Sequence, residues 1–126
     1  MRKINLIFGI ILFLNIFFGS LYAQQKIANT QDSLLKDSIY MANKNEVMNY
    51  SLKEFDHLFF EFSNKKNDSS LVLTKQEFYN YTIKIAAFSD RLAKLYPKDK
   101  ETAELSKKKW FAESYQDYLL SKASHK

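Results

Sequence analysis

A chain of 126 residues is the size of a single domain, and this one contains no cysteine, one proline and two glycines. The absence of thiols excludes a disulfide framework and a cysteine nucleophile, and the formal net charge of +5 falls to +3 without Arg2 and Lys3, a solubility charge rather than the field of a polyanion binder. Both glycines, Gly9 and Gly19, fall near the amino terminus, so the remaining chain lacks the residue that hairpin turns need for positive φ, and an all-α fold is predicted.

Met1-Arg2-Lys3 is followed by an almost wholly apolar run, Ile4 to Phe18, and then by Gly19-Ser20-Leu21-Tyr22-Ala23. A charged start, an apolar stretch and a small residue at the end are the marks of a secretory signal peptide. Residues 1–23 are read as that signal, with cleavage after Ala23 leaving Gln24 as the new terminus and a net charge of +3. The apolar run approaches the ~20 residues of a spanning helix, so an uncleaved anchor is the competing reading. Gly19-Ser20 and the lack of a basic cluster beyond the run favour cleavage. No cysteine stands at the cut, so the protein is expected to be extracytoplasmic, periplasmic or secreted, and not a lipoprotein. Membrane contact is expected only through the signal segment.

Residues 24–44 are read as an amino-terminal helical segment. Ile27, Leu34, Met41, Met48, Phe55 and Phe62 recur every seventh position, but their heptad partners Gln31, Ser38 and Asn45 are polar, whereas Leu52 and Phe59 are apolar. Only about Glu46 to Phe62 therefore carries a full apolar seam. Asn43 and Glu46 have the spacing of a helix start, so residues 27–62 form either one long helix or two with a break near 42–45. Ser63 to Ser70 reads as a loop. Thr74 and Glu77 match a capping box, with Leu73 and Phe78 placed as a hydrophobic staple. Phe78, Tyr81, Ile85, Phe88, Leu92 and Leu95 then form a regular seam that Tyr96-Pro97 should end. A final helix capped by Asp99 would carry Leu105, Phe111, Ala112, Tyr115, Tyr118 and Leu119 on a less regular face. The expected architecture is a small up-and-down bundle of three helices in residues 45–126, joined in one domain by the amino-terminal segment.

Few residues in this chain carry chemistry. Glu54-Phe55-Asp56-His57 has the E-x-x-H spacing of di-iron bundles, but it occurs once, and the seam of Leu52, Phe55 and Phe59 turns His57 towards water. Asn64 to Glu77 resembles the exit of a calcium loop, yet its first ligand position would be Lys66 and its glycine position Leu71. No metal, cofactor or catalytic residue is predicted, and the protein is not expected to be an enzyme. Phe60, Tyr79 and Trp110 are the large aromatics that lie beside the seams, and Lys107, Lys108 and Lys109 precede Trp110. Together they are the candidate partner surface, an apolar and basic patch for another protein of the cell envelope. The expected function is a non-enzymatic interaction module such as a subunit, adaptor or chaperone. The alternative is a carrier of a small apolar ligand or lipid in the envelope, and nucleic-acid binding is not expected.

Overall fold

The computed structural model describes residues 30–124. The expected signal peptide, residues 1–23, and its expected cut after Ala23 fall outside the described residues, as does Ile27. Among the described residues all regular structure is helical: α1 (Thr30–Val47), α2 (Leu52–Asn67), α3 (Lys75–Leu95), α4 (Lys100–Phe111) and α5 (Tyr115–Ser124), with a 3-10 turn over Pro97–Asp99. None of these helices is long and apolar enough to cross a membrane.

Local chemistry accounts for most boundaries. The Thr74 hydroxyl accepts from the Glu77 amide at 3.1 Å, and the Thr74 amide donates to the Glu77 carboxylate at 2.9 Å, closing the expected capping box. Leu73 and Phe78, the staple pair, are both buried. Helix α3 stops at Leu95, and Pro97 opens the 3-10 turn beyond it. The break between α1 and α2 falls at residues 48–51, not 42–45. A second capping box sets it there, between Ser51 and Glu54 at 3.1 and 2.9 Å. Asn43 is no cap, since its side-chain amide donates to the Ile39 carbonyl within α1. The predicted loop is shorter than expected, because α2 continues to Asn67 with Lys65 and Lys66 in a last turn that favours cations. The predicted final helix is two helices. Ser114 starts the second, its hydroxyl accepting from the Asp117 amide at 3.3 Å.

Helix α3 is the axis of the molecule. Phe55 of α2 stacks on Phe88 at 4.1 Å between ring centroids, and Phe62 lies 5.9 Å from Phe78, so α2 runs antiparallel to α3. Helix α1 runs parallel to α3, with Asp32 paired to Lys75 and Tyr40 to Asp90. Helix α4 returns along a third side through small buried residues, Ala86 and Ser89 on α3 and Ala103 and Ser106 on α4, the two hydroxyls meeting at 3.3 Å. Small side chains let two helix backbones approach closely. The predicted seam holds for Phe78, Ile85, Phe88 and Leu92, but Tyr79, Thr82, Ile83 and Ala87 are buried as well, because α3 has neighbours on several faces.

The described part of the amino-terminal apolar row does not pack inward. Leu34 and Met41 are 65% and 62% exposed, and α1 turns Asp32, Ile39 and Val47 inward. Leu105 likewise points outward, because the inner face of α4 is Ala103, Ser106 and Trp110.

Candidate functional site

The six residues of the predicted partner surface do not form one surface. Phe60 is 61% exposed on α2, whereas Tyr79 is 0% and Trp110 2% exposed. Trp110 is closed in from α2 by Phe59 and Phe62, at 6.2 and 6.0 Å between ring centroids. Tyr79 lies beside the α3 seam, as its spacing requires, but α1 covers that side. Lys107 is half-buried and committed: it pairs with Asp90 at 3.1 Å and donates to the Tyr40 hydroxyl at 3.2 Å. Burial would lower its pKa, and these two partners reverse that and raise it. Lys109 is half-buried, and only Lys108 is open to solvent.

The inward face of α1 carries polar groups at i, i+4 and i+8. The Asp32 carboxylate accepts from Lys75 at 2.8 Å and from the Tyr79 hydroxyl at 2.7 Å. Lys36 donates to the Phe111 carbonyl at 2.8 Å and lies 5.0 Å from the centre of the Tyr79 ring. Tyr40 donates to Asp90. Burial alone would raise the Asp32 pKa, but the hydrogen bonds from Lys75 and Tyr79 and the charges of Lys75 and Lys36 hold it below the usual carboxylate value. A depressed folded-state pKa contributes stability above the unfolded value and loses it as pH falls through the folded one. Acidification below about pH 4, the unperturbed aspartate value, should therefore destabilise the protein through this residue. Melting temperature measured between pH 6 and pH 2 should fall less steeply in Asp32→Asn than in the parent. Parallel curves would show that the Asp32 contacts do not bear on stability.

A groove of about 510 Å³ opens where α1 ends and α2 begins, lined by Glu46, Asn49, Tyr50, Glu54, His57, Leu58 and Glu61. Residues 54, 57, 58 and 61 fall three and four apart, so α2 presents all four on one face. Helix α1 ends with Asn49 and Tyr50 amides turned back onto the Glu46 and Val47 carbonyls, which brings the other lining residues alongside. Each carboxylate is held in place. Glu46 accepts from the Tyr50 hydroxyl at 3.4 Å, Glu54 belongs to the Ser51 cap, and Glu61 accepts from the Tyr81 hydroxyl. The Ser51 amide and hydroxyl keep Glu54 below the usual carboxylate range, while burial and then the Glu46 charge push the Tyr50 phenol up. No lysine or arginine is among the lining residues, so the groove is negative, with Tyr50 and Leu58 supplying apolar contact.

The two ends of the E-x-x-H motif share this groove, and His57 is solvent-exposed as its heptad position implies. Among the described residues no group of three or more His, Cys, Asp or Glu is arranged to hold a metal ion. Phe60 follows His57 by three residues and is its neighbour on the helix surface. Asn49, Tyr50 and Leu58 carry no sequence motif, and Glu46 enters the sequence pattern only as the acid of the Asn43 helix-start spacing. Their signal was Ser51-x-x-Glu54, which marks the true start of α2 and hence the corner beside it. Comparison with protein-family models, curated proteins and solved structures finds no match to this chain.

Proposed function

We propose that this protein is an exported, non-enzymatic interaction module that docks another protein of the cell envelope on the face running from the α1–α2 groove to Phe60. Export rests on the charged, apolar and small-residue pattern of Met1 to Ala23. The observation that carries docking is the groove itself, open to solvent and lined by the acids Glu46, Glu54 and Glu61 together with Tyr50 and Leu58. Negative charge together with apolar contact suits a basic side chain with an aliphatic stem, lysine or arginine, presented by a partner segment. Phe60 adds an exposed aromatic beside it, the residue class that most often anchors an interface. The carrier reading has less support, since Phe55, Phe62, Phe78, Phe88 and Trp110 pack ring to ring through the interior where a ligand would need room.

The test is a titration of isotope-labelled protein with a short Lys- and Leu-containing peptide and with its Glu-for-Lys counterpart, read by NMR. The basic peptide should shift resonances of residues 46–61 selectively, and the acidic one should not. Glu46→Gln with Phe60→Ser should weaken binding by about tenfold, about 1.4 kcal/mol, with the melting temperature unchanged. Equal response to both peptides, or shifts spread over the whole molecule, would remove the groove as the docking site.

A further inference from the structure

Helix α5 is attached by polar contacts. The Tyr115 hydroxyl donates to the Leu73 carbonyl at 2.7 Å and the Tyr118 hydroxyl accepts from the Leu73 amide at 2.9 Å, so two phenols one turn apart satisfy both backbone groups of one residue. One further turn on, Lys122 donates to the Asp68 carbonyl at 2.5 Å, just past the end of α2. Tyr118 also stacks on Phe78 at 4.8 Å. The first turns of α1 are attached in the same manner, through Asp32 and Lys36. The two elements meet at one atom. The Tyr79 hydroxyl donates to Asp32 and accepts, at 3.0 Å, from the amide of Tyr115, the first residue of α5. Lys36 makes a second link by holding the last carbonyl of α4, Phe111, directly before the α4–α5 connector. Glu113 is buried in that connector, where its charge acts on Lys36 of α1 and Lys66 of α2.

We propose that Asp32, Tyr79 and Lys36 form a latch that couples the docking of the first turns of α1 to the seating of α5 on the 68–73 loop. The latch implies two arrangements of each element, the docked one seen in the structure and a released one. A phenol that donates to one partner and accepts from another is best satisfied when both are in place, and a buried hydroxyl that loses one carries the penalty of an unmade bond. Release of α1 therefore weakens the hold on the α5 terminus. Because coupling between two equilibria is reciprocal, unseating α5 loosens α1 by the same factor. A ligand that prefers released α1 to docked α1 is thereby felt at α5.

Native-state hydrogen exchange of the full chain tests this from both ends. Asp32→Ala touches nothing on α5 directly. It should speed exchange of amides 34–40 and also of amides 118–124 by about tenfold, the effect of one hydrogen bond to a charged group, while amides 83–92 of α3 stay protected. Asp37→Ala, an exposed acid on the same helix, should leave α5 unchanged. Lys122→Ala, which touches nothing on α1, should speed amides 34–40 along with α5, and this arm decides the matter alone should Asp32→Ala fail to fold. The latch is overturned if either variant loosens only its own helix, or if α3 exchanges in step with α1 and α5 as part of one global opening.

Discussion

Trp110→Ser should destabilise the protein by about 3–5 kcal/mol, the usual range for removing a large aromatic from a packed core. Against a total of roughly 5–15 kcal/mol this is a large fraction of the stability. Trp110 is 2% exposed at the end of α4, with Phe59 at 89° to it and Phe62 at 68°. Serine leaves a cavity lined by those rings and places a hydroxyl among them. Phe60→Ser, one residue from Phe59 but 61% exposed, should cost within about 0.5 kcal/mol, as surface substitutions generally do. Urea denaturation of the two variants measures the contrast directly. If Trp110 lay on an open partner surface, both substitutions would be equally mild. A Trp110→Ser loss below about 1 kcal/mol would mean that α4 does not pack against α2 in this way.

What the sequence made legible was chiefly what is local. The Thr74–Glu77 box and the Tyr96-Pro97 stop depend on residues within a turn of each other, and both stand where expected. The Ser51–Glu54 box is equally local, but Asn43 and Glu46 offer the same spacing a few residues earlier, and the place of the α1–α2 corner and its groove depends on which of the two caps the helix. Other features depended on knowing which helix sits in the middle. A seam found by periodicity assumes one buried face per helix, and α3 has more than one, so Tyr79 beside its seam is as buried as Phe88 within it. The inner face of α4 is Ala103, Ser106 and Trp110, two of them too small to register as an apolar stripe.

Helix α1 shows the deeper limit. Periodicity equates apolar with inward, but this helix directs Asp32, Lys36 and Tyr40 towards α3 and α4 and exposes Leu34 and Met41. The inversion is possible because the partners of those polar groups, Lys75, Tyr79, Asp90, Lys107 and the Phe111 carbonyl, lie 43 to 75 residues further along the chain. A buried polar group is tolerated only when it is paired, and no local pattern reveals a partner so distant. The polar contacts of α1 and the apolar surface it leaves outside are two aspects of one arrangement.

Phe88→Ala should also cost about 3–5 kcal/mol, and here sequence and structure agree on the reason. Phe88 stands in the α3 seam with Phe78, Ile85 and Leu92, and its side chain is fully buried. Its ring lies 4.1 Å from that of Phe55 with 9° between their planes, the closest aromatic pair among the described contacts. The pair joins α2 to α3 across the centre of the molecule, so the cavity opens between two long helices that cannot both collapse into it. Phe88→Leu keeps most of the volume and should cost less than the alanine change, about 1–2 kcal/mol. Phe55→Ala should be similarly severe. The double variant should cost less than the two single changes together, by the 0.5–1.5 kcal/mol or so that an aromatic pair contributes beyond its burial. Urea midpoints for the four proteins complete the cycle. Strict additivity would show that the two rings do not interact. A loss below about 1 kcal/mol for Phe88→Ala alone would show that the seam of α3 does not face α2, and the packing of the central helix would then have to be redrawn.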